Sequence, residues 1–330
     1  MAKIGTIDLG KFPLLLAPME DVSDPPFRAI CKELGADVVY TEFISSEGLI
    51  RDAAKSKVKL DIYEKERPVG IQIFGANLDS MLRTVEIVEQ SNPDFIDINF
   101  GCPVSKVVCK GAGAGILKDI PLMIKLTEAM VKHTKLPITV KTRLGWDEKS
   151  IEIVDVAERL QDAGIKALSI HGRTRNQMYK GLANWEPIAE VKNNPRMHIP
   201  IFGNGDVDSP ERAKSMRDDY GLDGAMIGRA AIGYPWIFRE IKFYFETGEH
   251  LKPPTIAERV AVAKRHLEMA MDWKGERLGL LETRRHYTNY FKGISHFKEY
   301  RLQLVTADDF NTIEQVFESI INQYSNELIG

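Results

Sequence analysis

Residues 138–171 read ITVKTRLGWDEKSIEIVDVAERLQDAGIKALSIH, and this stretch holds one complete unit of the expected fold. It opens on an apolar, β-branched run at 138–140, continues through an amphipathic helical pattern at 151–163, and returns to an apolar run at 167–170. Gly164 follows the helical pattern, where glycine commonly ends a helix. A strand, a helix and a second strand form a βαβ unit, whose two strands lie parallel in one sheet.

The same pattern continues outward in both directions from this unit. Apolar runs recur at intervals of roughly 30 residues, the length of one βαβ unit. Runs that are apolar on both faces suit parallel strands that are buried on both sides of a sheet. There are eight such runs, at 12–17, 37–41, 69–74, 95–98, 138–140, 167–170, 199–202 and 224–227. We therefore predict an α/β fold, the (β/α)8 TIM barrel; the alternative is an open doubly wound sheet, but no GxGxxG follows the first run.

The pattern changes after residue 250. A Pro-Pro pair at 253–254 marks a linker, and no strand-like run follows it. Amphipathic helices are predicted at 257–273, 280–291 and 307–327. We therefore divide the chain into a barrel at 1–250 and a small all-helical C-terminal domain at 251–330.

The composition is that of a globular protein in a reducing compartment. Of the 330 residues, 44% are hydrophobic and 28% are charged, and the net charge is −3. No apolar run approaches the roughly 18 residues of a membrane span, and the three cysteines have neither a CxxC nor a zinc-binding spacing. We expect a cytoplasmic protein with no metal, no membrane contact and no obligate protein partner. Any nucleic acid would have to bind a local basic patch.

Polar side chains follow nearly every predicted strand. The active site of such a barrel lies at the carboxyl ends of its strands, so these residues are expected to form a ring of donors and acceptors around one pocket. They are Glu42, Gln72, Asn99, Lys141, His171, Asn204 and Arg229.

The loops after the last two strands are the common phosphate site of these barrels. Here they read Asn204-Gly205-Asp206 and Gly228-Arg229. Glycine lets backbone N–H groups approach phosphate oxygens, and arginine adds a bidentate donor.

Two residues at the ends of the fourth and fifth runs suggest chemistry. Lys141 ends a buried run, where an ammonium needs a partner or a function. It forms a Schiff base, holds an anionic atom of a cofactor, or extends to the rim. Cys102 lies in a tight turn between Gly101 and Pro103. A thiol with a pKa near ~8.5 stays mostly protonated at neutral pH, so it can serve as a general acid.

Together these motifs resemble the tRNA-dihydrouridine synthases, most closely the bacterial B-type branch. The most specific motif is DINFGCP at 97–103, and the likeness is dense over residues 5–245 and weaker beyond them. The other motifs are LAPM at 16–19, DPPFR at 24–28, QIFG at 72–75, KTRLGW at 141–146, HGRTR at 171–175, GNGD at 203–206 and GRAA at 228–231.

The resemblance implies an FMN enzyme that reduces a uridine of tRNA to 5,6-dihydrouridine, with NADPH as the reductant. Hydride passes from N5 of the reduced flavin to C6 of the uracil, and Cys102 gives a proton to C5. The target base has to be extruded from the folded RNA to reach a barrel pocket.

The resemblance also implies roles for individual residues. Asn99 and Arg143 are expected at the substrate. The residues expected to hold FMN are Pro18, Met19, Glu20, Gln72, Lys141, His171, Asn204, Gly205, Asp206, Gly228 and Arg229. Two departures stand out: Glu20-Asp21 replaces the Ala-Gly of many members, and Gly115 replaces a bulkier residue.

One basic window stands out in the C-terminal region. Residues 284–301, RRHYTNYFKGISHFKEYR, hold five Lys or Arg against one acidic residue, interleaved with aromatic side chains. Basic and aromatic residues in alternation suit RNA, and the aromatics equally suit the core of a helical bundle. The residues expected to contact tRNA phosphates are Arg284, Arg285 and Lys292, with Arg173 and Arg175 beside the target base.

Other functions fit parts of the sequence. An FMN-dependent dihydropyrimidine or dihydroorotate dehydrogenase, acting on a free pyrimidine, shares the cysteine after the fourth strand. A non-catalytic RNA-binding barrel has no use for Cys102, Lys141 and the phosphate loops. An aldolase that forms a Schiff base needs no flavin.

Overall fold

The computed structural model describes residues 1–324 and contains a parallel β-barrel. The strands are β1 (Lys3–Ile4), β2 (Ile7–Asp8), β3 (Leu14–Leu16), β4 (Val39–Tyr40), β5 (Ile44–Ser45), β6 (Val69–Phe74), β7 (Phe95–Asn99), β8 (Ile138–Arg143), β9 (Leu168–His171), β10 (Ile201–Asn204) and β11 (Gly224–Ile227). β1 and β2 form an antiparallel hairpin ahead of the barrel.

The barrel strands follow one another in the order β3-β11-β10-β9-β8-β7-β6-β4, and the short β5 also pairs with β6. A parallel bridge between Leu15 and Val38 joins the two ends of this path. Leu16 N donates to the Val38 carbonyl at 2.9 Å across the same junction. Eight strand positions therefore surround one axis, which confirms the predicted (β/α)8 barrel.

Helices cover the outside of the barrel and make up the C-terminal region. They are α1 (Pro25–Glu33), α2 (Ser46–Leu49), α3 (Ala54–Val58), α4 (Leu78–Glu89), α5 (Ser105–Val108), α6 (Ile120–His133), α7 (Ile153–Asp162), α8 (Glu186–Asn193), α9 (Pro210–Asp218), α10 (Ile237–Thr247), α11 (Ile256–Lys274), α12 (Glu276–Tyr290), α13 (Lys298–Thr306) and α14 (Phe310–Tyr324). Of the helix predicted at 307–327, residues 325–327 lie outside the described residues. None of these helices is both long and apolar enough to cross a membrane.

Local sequence signals set the helix ends. α1 begins after Asp24, whose carboxylate accepts from Phe27 N at 3.0 Å, and prolines occupy its first turn. Gly35 follows α1 with φ of 111° and Gly164 follows α7 with φ of 103°, left-handed conformations that favour glycine. Both glycines thus end helices, as predicted for Gly164 from its position.

Alternate residues of each strand face the barrel axis, because side chains in a strand alternate between its two faces. The amino-terminal half of the interior is apolar, and the β1–β2 hairpin closes it: Ile4 packs with Phe95, Phe202 and Met226. Polar side chains fill the carboxyl-terminal half. The hairpin was not predicted, since it lies ahead of the first βα unit.

The C-terminal helices have a hydrophobic core of their own. Its members include the aromatic residues Tyr287, Tyr290, Phe291 and Phe297, all buried. This confirms that the aromatics of the basic window form the core of a helical bundle. α13 was not predicted; its first four residues belong to that window.

The bundle is fastened to the barrel beside β3. α11 packs against α1, and Phe27 of α1 contacts the rings of His266 and His286. Arg285 Nη1 donates to the Asp21 carbonyl at 2.6 Å, and Lys274 Nζ lies 3.4 Å from Asp24 Oδ2. The helical region therefore lies at one side of the barrel.

Candidate active site

The carboxyl ends of the strands surround the open end of the barrel, here called the mouth. Neighbouring strands are in register at this level: Gln72 pairs with Asp97 between β6 and β7, and Asn99 pairs with Lys141 between β7 and β8. Hydrogen bonds and charge interactions connect five of the predicted residues here, namely Gln72, Asn99, Lys141, Arg143 and His171.

A chain of hydrogen bonds crosses the floor of the mouth. Asp97 accepts from Gln72 Nε2 at 2.6 Å and from Thr139 Oγ1 at 2.5 Å. Gln72 Oε1 accepts from Asn99 Nδ2 at 2.8 Å, and Asn99 Oδ1 accepts from Cys102 N at 2.9 Å. Since an ionised carboxylate only accepts, Asp97 sets the orientation of both amides. The chain thereby holds the turn that carries Cys102.

Asp97 was not singled out from the sequence as a site residue. Burial raises its pKa to about 6, although hydrogen bonds from Gln72 and Thr139 and the charge of Lys141 oppose the rise. The sequence held a signal for it, because a carboxylate inside the apolar run 95–98 is costly to bury without partners.

Cys102 lies three residues beyond the end of β7, with its side chain almost fully buried against Val107 and Ala112. Burial raises the pKa of its thiol, so the thiol is protonated at neutral pH. The turn needs a glycine nearby: a Cβ on Gly113, where φ is 54°, would lie 2.9 Å from the Cys102 carbonyl oxygen. Ala114 N donates to that same oxygen at 2.9 Å.

Lys141 is half-buried on the neighbouring strand β8. Burial, and to a smaller extent the charge of Arg143, lower the pKa of its ammonium to about 8. Within residues 1–324 the ammonium makes neither a hydrogen bond nor an ion pair. A partly desolvated cation without a partner suits a ligand atom that carries negative charge or accepts a hydrogen bond.

His171 ends β9 and is almost fully buried. Burial lowers its pKa well below the usual value, and the positive charges of Arg143, Lys141, Arg173 and Arg229 lower it further. The ring is therefore neutral, and Arg173 Nη1 lies 3.2 Å from its Nε2. Because arginine can only donate, Nε2 accepts this bond. The same four cations thus lie near this ring in a chain whose net charge is −3.

The two predicted phosphate loops lie side by side after β10 and β11. The backbone N–H groups of Gly205, Asp206 and Arg229 find no acceptor within residues 1–324. Gly205 has φ of 114°, and a Cβ there would lie 2.9 Å from the His171 ring, so only glycine fits. Asn204 Nδ2 donates to the Met226 carbonyl at 2.8 Å, which joins the two strands.

The carboxylate of Asp206 is unavailable to a phosphate. It accepts from Arg173 Nη2 at 2.7 Å and from Arg229 Nη2 at 3.0 Å. Although burial alone would raise its pKa, the bonds from Arg173 and Ala183 N hold the pKa below its usual range. Asp206 can therefore offer a phosphate only its backbone N–H. A Cβ on Gly228 would lie in ordinary contact with Ala17 and Met19, at 3.6 and 3.7 Å.

Arg173 occupies a different position from the phosphate contact expected for it. It is 2% exposed, and its guanidinium also donates to the Lys180 and Gly181 carbonyls. The sequence interpretation needs correction here: pairing with Asp206 turns Arg173 inward, so it braces the loop after β9.

Arg143 is likewise buried, and burial lowers its pKa to about 10. Its Nε donates to the Gly101 carbonyl at 2.7 Å and its Nη1 to the Met178 carbonyl at 2.8 Å. It holds the Cys102 turn from the side opposite Asn99. The Tyr179 ring, which the sequence did not indicate, lies 5.6 Å from Arg143 and 5.5 Å from Arg229.

The loop after β3 contributes Pro18 and Met19, both half-buried, and the exposed Glu20. Lys59 Nζ donates to the Glu20 carboxylate at 2.6 Å. The glutamate that departs from the family pattern therefore forms an ion pair with this lysine. The Gly115 departure has a steric reason, because a Cβ there would lie 2.7 Å from the Val108 carbonyl oxygen.

The basic residues of α12 are largely engaged within the chain. Arg284 Nη2 donates to the Ala307 carbonyl at 2.7 Å, and Arg285 bonds Asp21 as described above. Each arginine thus fastens a neighbouring loop, and their contact with tRNA phosphates stays a prediction. Lys292 is exposed and has no side-chain partner within residues 1–324.

The chain was compared with protein families and with individual proteins. A family model described as Dihydrouridine synthase (Dus) matches residues 15–324. The chain is 38% identical over 296 residues to tRNA-dihydrouridine synthase B of Pseudomonas aeruginosa, covering 90% of this chain and 89% of that protein. It is 37% identical over 329 residues to tRNA-dihydrouridine synthase B of Shewanella oneidensis, covering 99% of each.

Solved structures with a similar fold are more distant. A 2-naphthoyl-CoA reductase complex matches with a TM-score of 0.55 and 10% identity, covering 73% of this chain and 51% of that one. A morphinone reductase variant in complex with tetrahydroNAD matches with a TM-score of 0.54 and 10% identity, covering 77% and 92%. At such identities the likeness concerns the barrel fold alone.

Proposed function

This chain belongs to the dihydrouridine synthase family, and from that premise we propose that it reduces a uridine of tRNA to 5,6-dihydrouridine. One observation carries the proposal: a protonated thiol and an unpartnered ammonium lie at the ends of adjacent strands. Asn99 pairs with Lys141 in the ladder and holds Cys102 N at 2.9 Å. A proton donor and a cation therefore serve one pocket.

Enzymes of this family are flavin-dependent, and the residues of the mouth fit FMN. Lys141 offers an unpartnered ammonium to the N1–O2 edge of the ring. The free N–H groups of Gly205, Asp206 and Arg229 suit the phosphate. The ring-lining roles of Pro18, Met19, Glu20, Gln72 and His171, and the phosphate roles of Asn204 and Gly228, stay part of this proposal. When bound, the flavin supplies the hydride that reduces C6 of the uracil.

Cys102 supplies the proton that completes the reduction. Its buried thiol stays protonated at neutral pH because its pKa is raised, and Sγ gives its proton to C5 of the base. Asn99 and Arg143 keep the turn in place through the backbone of residues 101 and 102. Each turnover takes up two electrons and two protons, and we assign the electrons to NADPH.

The substrate is a base within a folded RNA. Extruding a base from its stack costs about a few kcal/mol, so the RNA has to be held around the mouth. The unpartnered ammonium of Lys141 attracts the backbone toward it. We assign flavin binding and catalysis to residues 1–250, and tRNA binding to residues 251–330 with Arg175.

The decisive experiment compares substrates. The purified protein is incubated with NADPH and unmodified tRNA, and dihydrouridine is mapped by position. We expect one tRNA position to be reduced and free uridine to be a far poorer substrate. Equal turnover of free uridine would favour the dehydrogenase alternative. A protein that binds no flavin would exclude both the reduction of tRNA uridine and the dehydrogenase alternative.

A pH dependence follows from Lys141. We expect the affinity of flavin-depleted protein for FMN to fall as pH rises through about 8, because the ammonium loses its charge there. The dissociation constant should rise by up to about tenfold per pH unit in that range. Fluorescence titration with FMN from pH 6 to 10 measures the dissociation constant.

Lys141→Met provides the control for this titration. We expect it to bind FMN more weakly at pH 7, with the dependence near pH 8 removed. A dependence that persists unchanged in this variant would contradict the assignment of Lys141.

A further inference from the structure

Two cations lie over one indole ring at the rim of the mouth. Lys118 Nζ is 3.8 Å from the centroid of the Trp146 ring, and Arg175 Cζ is 4.6 Å from the same centroid. Trp146 is half-buried and packs against the barrel core. The ring is therefore fixed, and it holds both cations by its electron-rich surface.

Three loops meet at this ring. Lys118 ends a 3-10 turn in the loop after β7, Trp146 follows β8, and Arg175 follows β9. The last two loops are joined by backbone bonds: Arg175 N donates to the Gly145 carbonyl at 2.9 Å, and Asn176 N donates to the Trp146 carbonyl at 3.0 Å. The loop after β7 also carries Cys102, and the bonds between the other two loops give the cations a set position relative to the mouth.

The two positive charges lack a carboxylate partner. Lys118 is exposed and makes no ion pair within residues 1–324. Within the described residues the Arg175 guanidinium donates only to Asn176 Oδ1, at 3.2 Å, and its buried Nε has no partner. The nearby Asp147 carboxylate is engaged locally, since it accepts from Lys149 N and Ser150 Oγ.

An open depression of about 520 Å³ lies beside the ring, and its charged lining residues are Lys118, Asp147, Glu152 and Arg159. Cations held near an aromatic ring in an open groove are typical of proteins that track a nucleic-acid backbone. A compact anion between Lys118 and Arg175 would offset their mutual repulsion. Phosphate is the anion that this donor set suits best.

We propose that Lys118, Trp146 and Arg175 form a binding site for tRNA backbone phosphates; this inference rests on the proposed function. β8 lies opposite β3 in the eight-strand path, and the helical region is fastened beside β3. The site and the helical region thus lie on opposite sides of the mouth. RNA held on both sides can present an extruded base to the pocket between them.

The experiment measures tRNA binding by the flavin-loaded enzyme across a salt series. For Lys118→Gln/Arg175→Gln we expect a dissociation constant raised about tenfold at ~0.15 M salt. A plot of the logarithm of the dissociation constant against the logarithm of the salt concentration should have a slope lower by about 1.5 than for the wild type. Each phosphate contact contributes roughly 0.7–0.9 to that slope. Trp146→Leu keeps both charges but removes the ring that holds them, and it should also lower this slope.

Lys166→Gln is the matched control, because Lys166 is an exposed lysine at the amino-terminal end of β9. It removes one positive charge and should leave tRNA affinity and salt slope unchanged.

The outcomes separate the two claims. Wild-type enzyme that reduces tRNA, together with a double variant of unaltered affinity and slope, would overturn this inference alone. This inference would also be overturned if the double variant slows only flavin reduction by NADPH. In that case the site would bind the phosphates of the dinucleotide and not those of tRNA. Wild-type enzyme that neither binds nor reduces tRNA would overturn the proposed function as well.

Discussion

Cys102→Ala is expected to lower kcat with saturating tRNA and NADPH by about 10²–10⁴-fold, the range for loss of a general acid. The thiol is the proton donor in the proposed reaction. The substitution removes one buried atom beside Val107 and Ala112 and leaves the backbone bond to Asn99 in place. FMN content and tRNA affinity should therefore stay at wild-type values. Single-turnover formation of dihydrouridine measures the effect.

The pH profile gives a second readout for Cys102. Burial raises the thiol pKa, and a general acid works only when protonated. With FMN held saturating, wild-type turnover should therefore be constant through neutral pH and fall as pH rises through that raised pKa. Cys109→Ala is the matched control, since Cys109 is exposed on the same loop and should retain full activity. Full turnover by Cys102→Ala would show that another group donates the proton.

Arg28→Met is expected to reduce the free energy of unfolding by about 3–5 kcal/mol, the cost of breaking a buried ion pair. Arg28 Nε and Nη2 donate to both carboxylate oxygens of Glu66, at 2.8 and 2.9 Å, and both side chains are essentially unexposed. Arg28 also donates to the carbonyls of Ser23 and Asp61. Removing it leaves the Glu66 carboxylate buried without its cation, although the bond from Tyr63 N at 2.7 Å remains. Urea unfolding measures the loss.

Two further variants test the cause of this loss. Arg51→Met removes an exposed pair with Glu47 and should cost less than about 1 kcal/mol. Arg28→Met/Glu66→Met replaces both buried charges by apolar groups and should recover much of the stability. If the double variant is no more stable than Arg28→Met, the loss comes from the backbone contacts of Arg28.

The strands could be predicted from the sequence because parallel barrel strands are apolar on both faces. The runs at 69–74 and 224–227 match β6 and β11 residue for residue. The run at 138–140 fell short of β8, which continues through Lys141 and Arg143. A hydropathy pattern ends where charged side chains begin, whereas the ladder continues as long as backbone groups find partners.

The candidate site was partly readable for a related reason. The residues at strand ends are determined by the chain, so Cys102, Lys141 and His171 could be placed at one end of the barrel from sequence. The sequence did not predict which group each charged side chain would bond. Arg173 and Arg175 are two positions apart in one motif, yet the first is 2% exposed against Asp206 and the second lies over Trp146.

Local sequence therefore determined the barrel, the helical region and the end of the barrel where the chemistry lies, since apolar periodicity and turn residues act over a few positions. The tertiary structure alone decided which charges are engaged and which remain free. Arg173 and Arg285 find acceptors 33 and 264 residues away in the chain, while Lys141 finds none within residues 1–324. Charge pairing depends on distance in space, and the fold sets that distance.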